Sequence, residues 1–128
     1  IDVDNFKEIN AKYGHLTGDE ILCFIAQKIL GVFRRTDVVA RYGGDEFVIF
    51  VSSVSREILN TRLEQLCAMF GEPYRSENIA IYITSSIGAS YFPDDGRDFR
   101  TLLDKADQAL YEAKRKGKNG YVVYRDER

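Results

Sequence analysis

Two β-forming runs separated by Gly43-Gly44-Asp45-Glu46 constrain this chain more than anything else in it. Val38 to Tyr42 is β-branched and aromatic, and Phe47 to Val51 is nearly unbroken apolar sequence. Such a pair, joined through two glycines and an acid, reads as a tight β-hairpin, because glycine accepts the positive φ that short turns often need. The second run carries no polar relief, so it is expected in a sheet interior, covered on both faces. The remaining segments must then supply the covering layers.

They do so in a recognisable order. Ile1-Asp2-Val3-Asp4 reads as the end of a strand. Phe6, Ile9, Asn10 and Tyr13 fall at helical spacing up to Gly14. Thr17-Gly18-Asp19-Glu20 is expected to start a long helix with the apolar stripe Leu22, Ile25, Ala26, Ile29, Leu30, Phe33. A further helix carries Leu59, Leu63, Leu66, Cys67 and Phe70, stopped by Gly71 and Pro73. Ile79 to Ile83 and Ser86 to Phe92 read as strand, and Pro93-Asp94-Asp95-Gly96 as a turn. A last helix should bury Leu102, Leu103, Ala106, Leu110 and Ala113, end at Gly117, and lead into a strand from Tyr121 to Tyr124. The order β-α-α-β-β-α-β-α-β predicts an α/β (α+β) fold of ferredoxin-like type, a mixed central sheet flanked by helices.

The length of 128 residues suits one domain, expected to be a fragment of a larger protein that lacks its N-terminal start. A net charge of −2 gives no basic face for gripping a nucleic-acid polymer. Nothing resembles a signal peptide or a membrane span. Cys23 and Cys67 have no metal or CxxC spacing and are expected to be reduced, buried packing residues. Together these features predict a soluble, cytoplasmic domain.

The acids stand out. Asp2 and Asp4 fall at the carboxyl end of the first strand, where α/β sheets place ligands. Asp45 and Glu46 fall on the hairpin tip. If the hairpin flanks the first strand, the two clusters meet at one sheet edge, and hard oxygen ligands converging there suit Mg²⁺ with substrate phosphates. Turns and strand ends are also simply rich in Asp.

The same residues carry a family resemblance. Arg41-Tyr42-Gly43-Gly44-Asp45-Glu46-Phe47 contains the motif that names the GGDEF family of diguanylate cyclases. Asp2-Val3-Asp4-Asn5-Phe6-Lys7-Glu8-Ile9-Asn10 resembles that family's D-x-D-x-F-K-x-I-N block, and Gly14-His15 and Gly18-Asp19 follow at its spacing. Thr84-Ser85-Ser86-Ile87-Gly88 is similar to its T-x-S-x-G strand. Ala106 to Lys114, with Gly117-Lys118-Asn119, is similar to its A-D-x-A-L-Y-x-A-K-x-x-G-R-N ending. The blocks run in order over nearly the whole chain.

The resemblance implies a palm-like domain related to nucleotide cyclases, joining two GTP into cyclic di-GMP with release of two pyrophosphates. It implies Mg²⁺ (or Mn²⁺) held by Asp2, Asp45 and the Val3 carbonyl, with Glu46 as a further ligand or as the base for the attacking hydroxyl. Asp45 and Glu46 are thus the catalytic pair, and Asp4 would have a supporting role beside them. Asn10 and Asp19 would read guanine, which offers a carboxylate two donors that adenine does not. An acid at Asp19 would equally suit a first helical turn. Phe6, Lys7, Gly43 and Gly44 would line the substrate site. Lys114 and Lys118 would bind phosphate, Lys118 standing where the family usually has Arg and so lacking the bidentate fork. Arg34 and Asp37 fit the family's R-x-x-D inhibitory site for the product, with Arg62 as the added arginine.

One GTP per domain implies a homodimer for catalysis and a sensory domain in the parent chain. Degenerate relatives that only sense GTP or cyclic di-GMP, a scaffold role, and a palm-like cyclase of another product are the competing readings. Retention of Asp2, Asn10, Asp19, Asp45 and Glu46 favours the enzyme. His15, the sole histidine, is expected to pack or cap, and Arg115 and Lys116 to be solvated.

Overall fold

The structure is a computed structural model and describes residues 1–125. Its elements are β1 (Asp2–Val3), α1 (Phe6–Tyr13), α2 (His15–Val32), β2 (Val38–Arg41), β3 (Phe47–Phe50) and α3 (Arg56–Met69), followed by β4 (Tyr74–Ser76), β5 (Ile79–Ile81), β6 (Ser85–Ala89), α4 (Phe99–Arg115) and β7 (Gly120–Val123). The predicted mixed sheet with flanking helices is present. β6 is its centre, antiparallel to β1 and parallel to β7, with α4 as the crossover that a parallel pair requires. α4 packs down on β6 so closely that a Cβ on Gly88 would overlap the Ala106 carbonyl and lie 2.8 Å from Leu110 Cα.

The hairpin forms with Val38 opposite Phe50 and Arg41 opposite Phe47. It is a ladder of its own, tied to β1 by the bridge between Asp2 and Glu46 and by mutual hydrogen bonds of 2.8 Å between the Ile1 and Phe47 backbones. This corrects the expectation for Phe47–Val51. Only Phe47 is buried and Phe50 is 46% exposed, because beyond Ile1 the inner faces of β3 and β6 do not pair. With α4 they line an apolar cavity of about 480 Å³ instead. Leu102, Leu103, Ala106 and Leu110 border that cavity and are half-buried, while Ala109 and Ala113 are the fully buried residues of α4.

Four further points of the sequence reading are revised. The long helix begins at His15, two residues before Thr17, so Asp19 lies beyond its first turn. Leu30 is exposed, and the buried stripe runs Ile21, Leu22, Ile25, Ile29. β4 was not anticipated: Tyr74–Ser76 pairs with β5, short enough that no period-two pattern shows. Both cysteines are free thiols, but Cys23 is exposed and Cys67 half-buried, burial pushing the Cys67 thiol up.

The main core joins α2, α3 and the sheet through Ile21, Ile25, Ile29, Leu63, Leu66 and Ile87. α3 starts on Ser55, whose hydroxyl accepts the Ile58 N–H at 3.2 Å, and α4 on Asp98, which accepts the Thr101 N–H at 2.8 Å. Among the described residues, no helix is long and apolar enough to cross a membrane.

Candidate active site

The acidic clusters do meet. Asp2, Asp45 and Glu46 each present a carboxylate oxygen within 4.8 Å of the others. Backbone bonds set this up: the Val3 N–H donates to the Asp45 carbonyl at 3.1 Å, and the Tyr42 N–H to the Glu46 carbonyl at 2.9 Å. Val3 is thereby fixed in the strand end between the acids.

Gly43 and Gly44 are exposed, and neither lies in the left-handed region, so their smallness serves here to leave the turn surface bare rather than to supply positive φ. Arg41 closes the turn. Its guanidinium donates to the Gly43 carbonyl at 3.2 Å and to the Gly44 carbonyl at 2.7 Å. The sequence reading gave Arg41 no role. The signal was its position two residues before a Gly-Gly turn whose carbonyls have no strand partner.

Electrostatics mark the cluster as unfinished. Burial, then the charge of Asp2 and a hydrogen bond with it, hold the Asp45 carboxyl above the usual carboxylate range, against the pull of Lys114. Lys114 pairs with Asp2 Oδ2. Burial alone would lower its ammonium, but the Asp2 hydrogen bond and the charges of Asp2, Asp45 and Glu46 raise it. Asp2 Oδ1 is buried with no hydrogen-bond partner. A buried carboxylate oxygen without a donor is costly in a protein unless a cation or ligand completes it. Three carboxylates and an orphan oxygen fit a hard divalent cation such as Mg²⁺.

α4 and the turn after it bring two ammonium groups to this edge: Lys114 on Asp2, and Lys118, whose Nζ lies 2.9 Å from Asn5 Oδ1. Lys7 is exposed on the first turn of α1. Asp4 turns away from the acids. Its carboxylate accepts the Thr84 and Ser86 hydroxyls, both at 2.7 Å, and the Asn119 N–H at 3.0 Å.

Asn10 and Asp19 flank Gly18, with Asn10 half-buried and Asp19 exposed. Asn10 Oδ1 is buried and has no protein partner. Phe6 lies in the core beneath, its Cζ 3.2 Å from the position a Cβ on Gly18 would take.

The R-x-x-D segment lies apart, after α2. Asp37 is buried. Burial would raise its carboxyl, but the Arg34 N–H at 2.8 Å, the Ser52 N–H at 3.2 Å and the Arg34 guanidinium hold it below the usual range. Arg34 also donates to the Ser52 carbonyl, and Arg62 to the Val32 carbonyl at the end of α2. The two arginines thus border the same helix end, while the Asp37 carboxylate faces inward.

Comparison with known proteins agrees with this geometry. The family profile described as "Diguanylate cyclase, GGDEF domain" matches residues 1–120. The chain is 37% identical over 124 residues to the bifunctional diguanylate cyclase/cyclic di-GMP phosphodiesterase MucR of Pseudomonas aeruginosa, covering 97% of this chain and 18% of MucR. It is 37% identical to a diguanylate cyclase of Vibrio cholerae over 98% of this chain and 39% of that one. The chain therefore spans well under half the length of these curated relatives. Among solved structures, the active GGEEF domain of a diguanylate cyclase from Vibrio cholerae superposes with a TM-score of 0.86 at 37% identity, covering 98% of this chain and 80% of that one.

Proposed function

The chain belongs to the GGDEF-domain family of diguanylate cyclases, and on that premise we propose that it condenses two GTP into cyclic di-GMP, releasing two pyrophosphates. The observation that carries the proposal is the convergence of Asp2, Asp45 and Glu46, an orphan buried oxygen among them, with Lys114 and Lys118 at the same edge. The 3′-hydroxyl of each GTP attacks the α-phosphorus of the other; at each centre the bond to pyrophosphate breaks, so two phosphodiester bonds form and two pyrophosphates leave.

A divalent cation held by Asp2, Asp45 and Glu46, with the Val3 carbonyl as a further ligand, would neutralise triphosphate charge and acidify the attacking hydroxyl. Lys114 and Lys118 hold the charge of the phosphates. Glu46 is the group at hand to accept the hydroxyl proton. The unpartnered Asn10 oxygen and the Asp19 carboxylate accept the N1–H and amine of guanine, which would leave ATP with unmatched acceptors.

One GTP per domain means that two domains must face each other, a two-fold homodimer. Product binding at Arg34, Asp37 and Arg62 would require the Asp37 carboxylate to exchange its loop partners for guanine donors.

The test is chromatography of nucleotides after incubating a concentrated preparation with GTP and Mg²⁺. Cyclic di-GMP and pyrophosphate should form with metal, not from ATP, and not in Glu46→Ala. Binding of GTP or cyclic di-GMP without turnover would replace the enzyme by a sensor.

A further inference from the structure

Asp4 is the one acid of the first-strand cluster that the proposed chemistry leaves unused, although it is only 4% exposed. Its partners come from two segments far from it in sequence, residues 84–86 and Asn119. Oδ2 accepts both the Thr84 hydroxyl and the Asn119 N–H, and Oδ1 accepts the Ser86 hydroxyl. Its own N–H donates to the Thr84 carbonyl at 2.9 Å. Both oxygens of the carboxylate are thus engaged by protein donors rather than turned to the acids of the cluster.

The Asn119 bond is the consequential one. α4 ends in a Schellman arrangement, with the Lys118 N–H on the Ala113 carbonyl at 3.2 Å and the Gly117 N–H on the Lys114 carbonyl at 3.3 Å. Gly117, Lys118 and Asn119 then follow one another at φ of 111°, 64° and 48°. For two non-glycine residues in succession this is an unfavourable backbone, of the kind that persists only when surrounding contacts hold it. The contact that holds its far end is the Asp4 carboxylate. Lys118 sits between the helix end and that anchor, with its Nζ against Asn5, the residue next to Asp4.

Resting on the cyclase reading, we infer that Asp4 is a positioning residue: it latches the 117–119 turn to the end of β1 and so sets Lys118 for the triphosphate. Its role is to accept hydrogen bonds, not to contribute charge. An asparagine can serve, its oxygen facing Thr84 and Asn119 and its amide donating to the Ser86 hydroxyl. An alanine cannot.

The experiment measures binding of 3′-deoxy-GTP, which lacks the attacking hydroxyl, and of GMP, which lacks the pyrophosphate, by calorimetry with Mg²⁺. Asp4→Ala should weaken 3′-deoxy-GTP roughly 10-fold and leave GMP unchanged, while Asp4→Asn stays within about 3-fold of the parent. In a Lys118→Ala background, Asp4→Ala should add almost nothing, since coupled residues do not contribute independently. The Asn119 amide of the unaltered protein should be protected from hydrogen exchange, a readout that survives even if Asp4→Ala fails to fold. Equal losses in Asp4→Asn and Asp4→Ala, a parallel loss for GMP, additivity with Lys118→Ala, or a freely exchanging Asn119 amide would each overturn the latch. No affinity of the unaltered protein for 3′-deoxy-GTP would overturn the cyclase reading, and this role with it.

Discussion

Gly18→Ala should separate stability from nucleotide recognition, because it leaves the first nearly unchanged and weakens the second. Gly18 lies in the first turn of α2 at an ordinary helical position, and replacing glycine by alanine inside a helix is worth about 1 kcal/mol in intrinsic preference. The new Cβ, however, would overlap Asn10 Oδ1, stand 3.0 Å from Asn10 Cγ, and stand 3.2 Å from Phe6 Cζ. The overlap with Oδ1 is so far inside the ordinary separation of about 3.5–4 Å that the oxygen must move by more than about 1 Å, by displacing or rotating Asn10. Its departure breaks no protein hydrogen bond, since Oδ1 has none. Phe6 must give by a few tenths of an ångström, which offsets part of the helical gain. The melting temperature is therefore expected within about 4 °C of the unaltered protein. GTP affinity, by contrast, loses the guanine contact of Asn10, roughly 10-fold, or about 1.4 kcal/mol, with ATP affinity unchanged. Thermal melts and calorimetry with the two nucleotides give both numbers. A drop in melting temperature beyond about 10 °C would mean that the backbone, not Asn10, yields. An unchanged GTP affinity with Asn10 displaced would remove it from guanine recognition.

Mg²⁺ should raise the melting temperature of the unaltered protein by relieving the repulsion between Asp2 and Asp45, and Asp45→Asn should remove most of that rise; a rise of the same size in the variant would refute the cation site. Gly88→Ala drives a methyl group into the α4 backbone and is expected to cost about 3 kcal/mol in a denaturant titration, overpacking against main chain having no rotamer to relieve it. Asp37 is held below its unfolded value, so its contribution is present above about pH 4 and is lost as pH falls through the lower folded value. Asp37→Asn should flatten that part of the acid-stability curve, and an unchanged curve would show the loop bonds to be inconsequential. Arg34→Ala should relieve inhibition by cyclic di-GMP at an unchanged initial rate, measured as product accumulation with and without added cyclic di-GMP.

The helices and the hairpin were readable because their causes are local. Leu59, Leu63 and Leu66 fall on one face of any helix they occupy, and Gly43-Gly44 between two β-branched runs turns the chain wherever it lies. At the site, Asp2, Asp45 and Glu46 stood out by residue type as hard oxygen ligands, while Lys114 and Lys118 were singled out by the family resemblance alone. The reading went astray where an outcome depends on what lies across space. An apolar Phe47–Val51 run implies two covered faces only if strands lie on both sides of it, and here β3 meets β1 at its first residue and faces a cavity beyond. Asp19 suits a helix start, but the helix begins earlier because Gly14, at φ of 91°, already ends α1.

Asp2 and Asp4, two residues apart with the same side chain, make the division sharpest. Residue type and position at the strand end assign them no different work, and only the family resemblance separates them. β1 ends at Val3, so Asp4 is free of the strand's period that would put it on the face of Asp2: the Asp2 carboxylate meets Asp45 and Lys114, and the Asp4 carboxylate meets Thr84, Ser86 and Asn119, partners 80 to 115 residues away. Sequence alone determined which chemistry the chain carries. The fold decided which acid is left open for a cation and which is closed off in holding the backbone, because only the fold brings distant donors within hydrogen-bond reach.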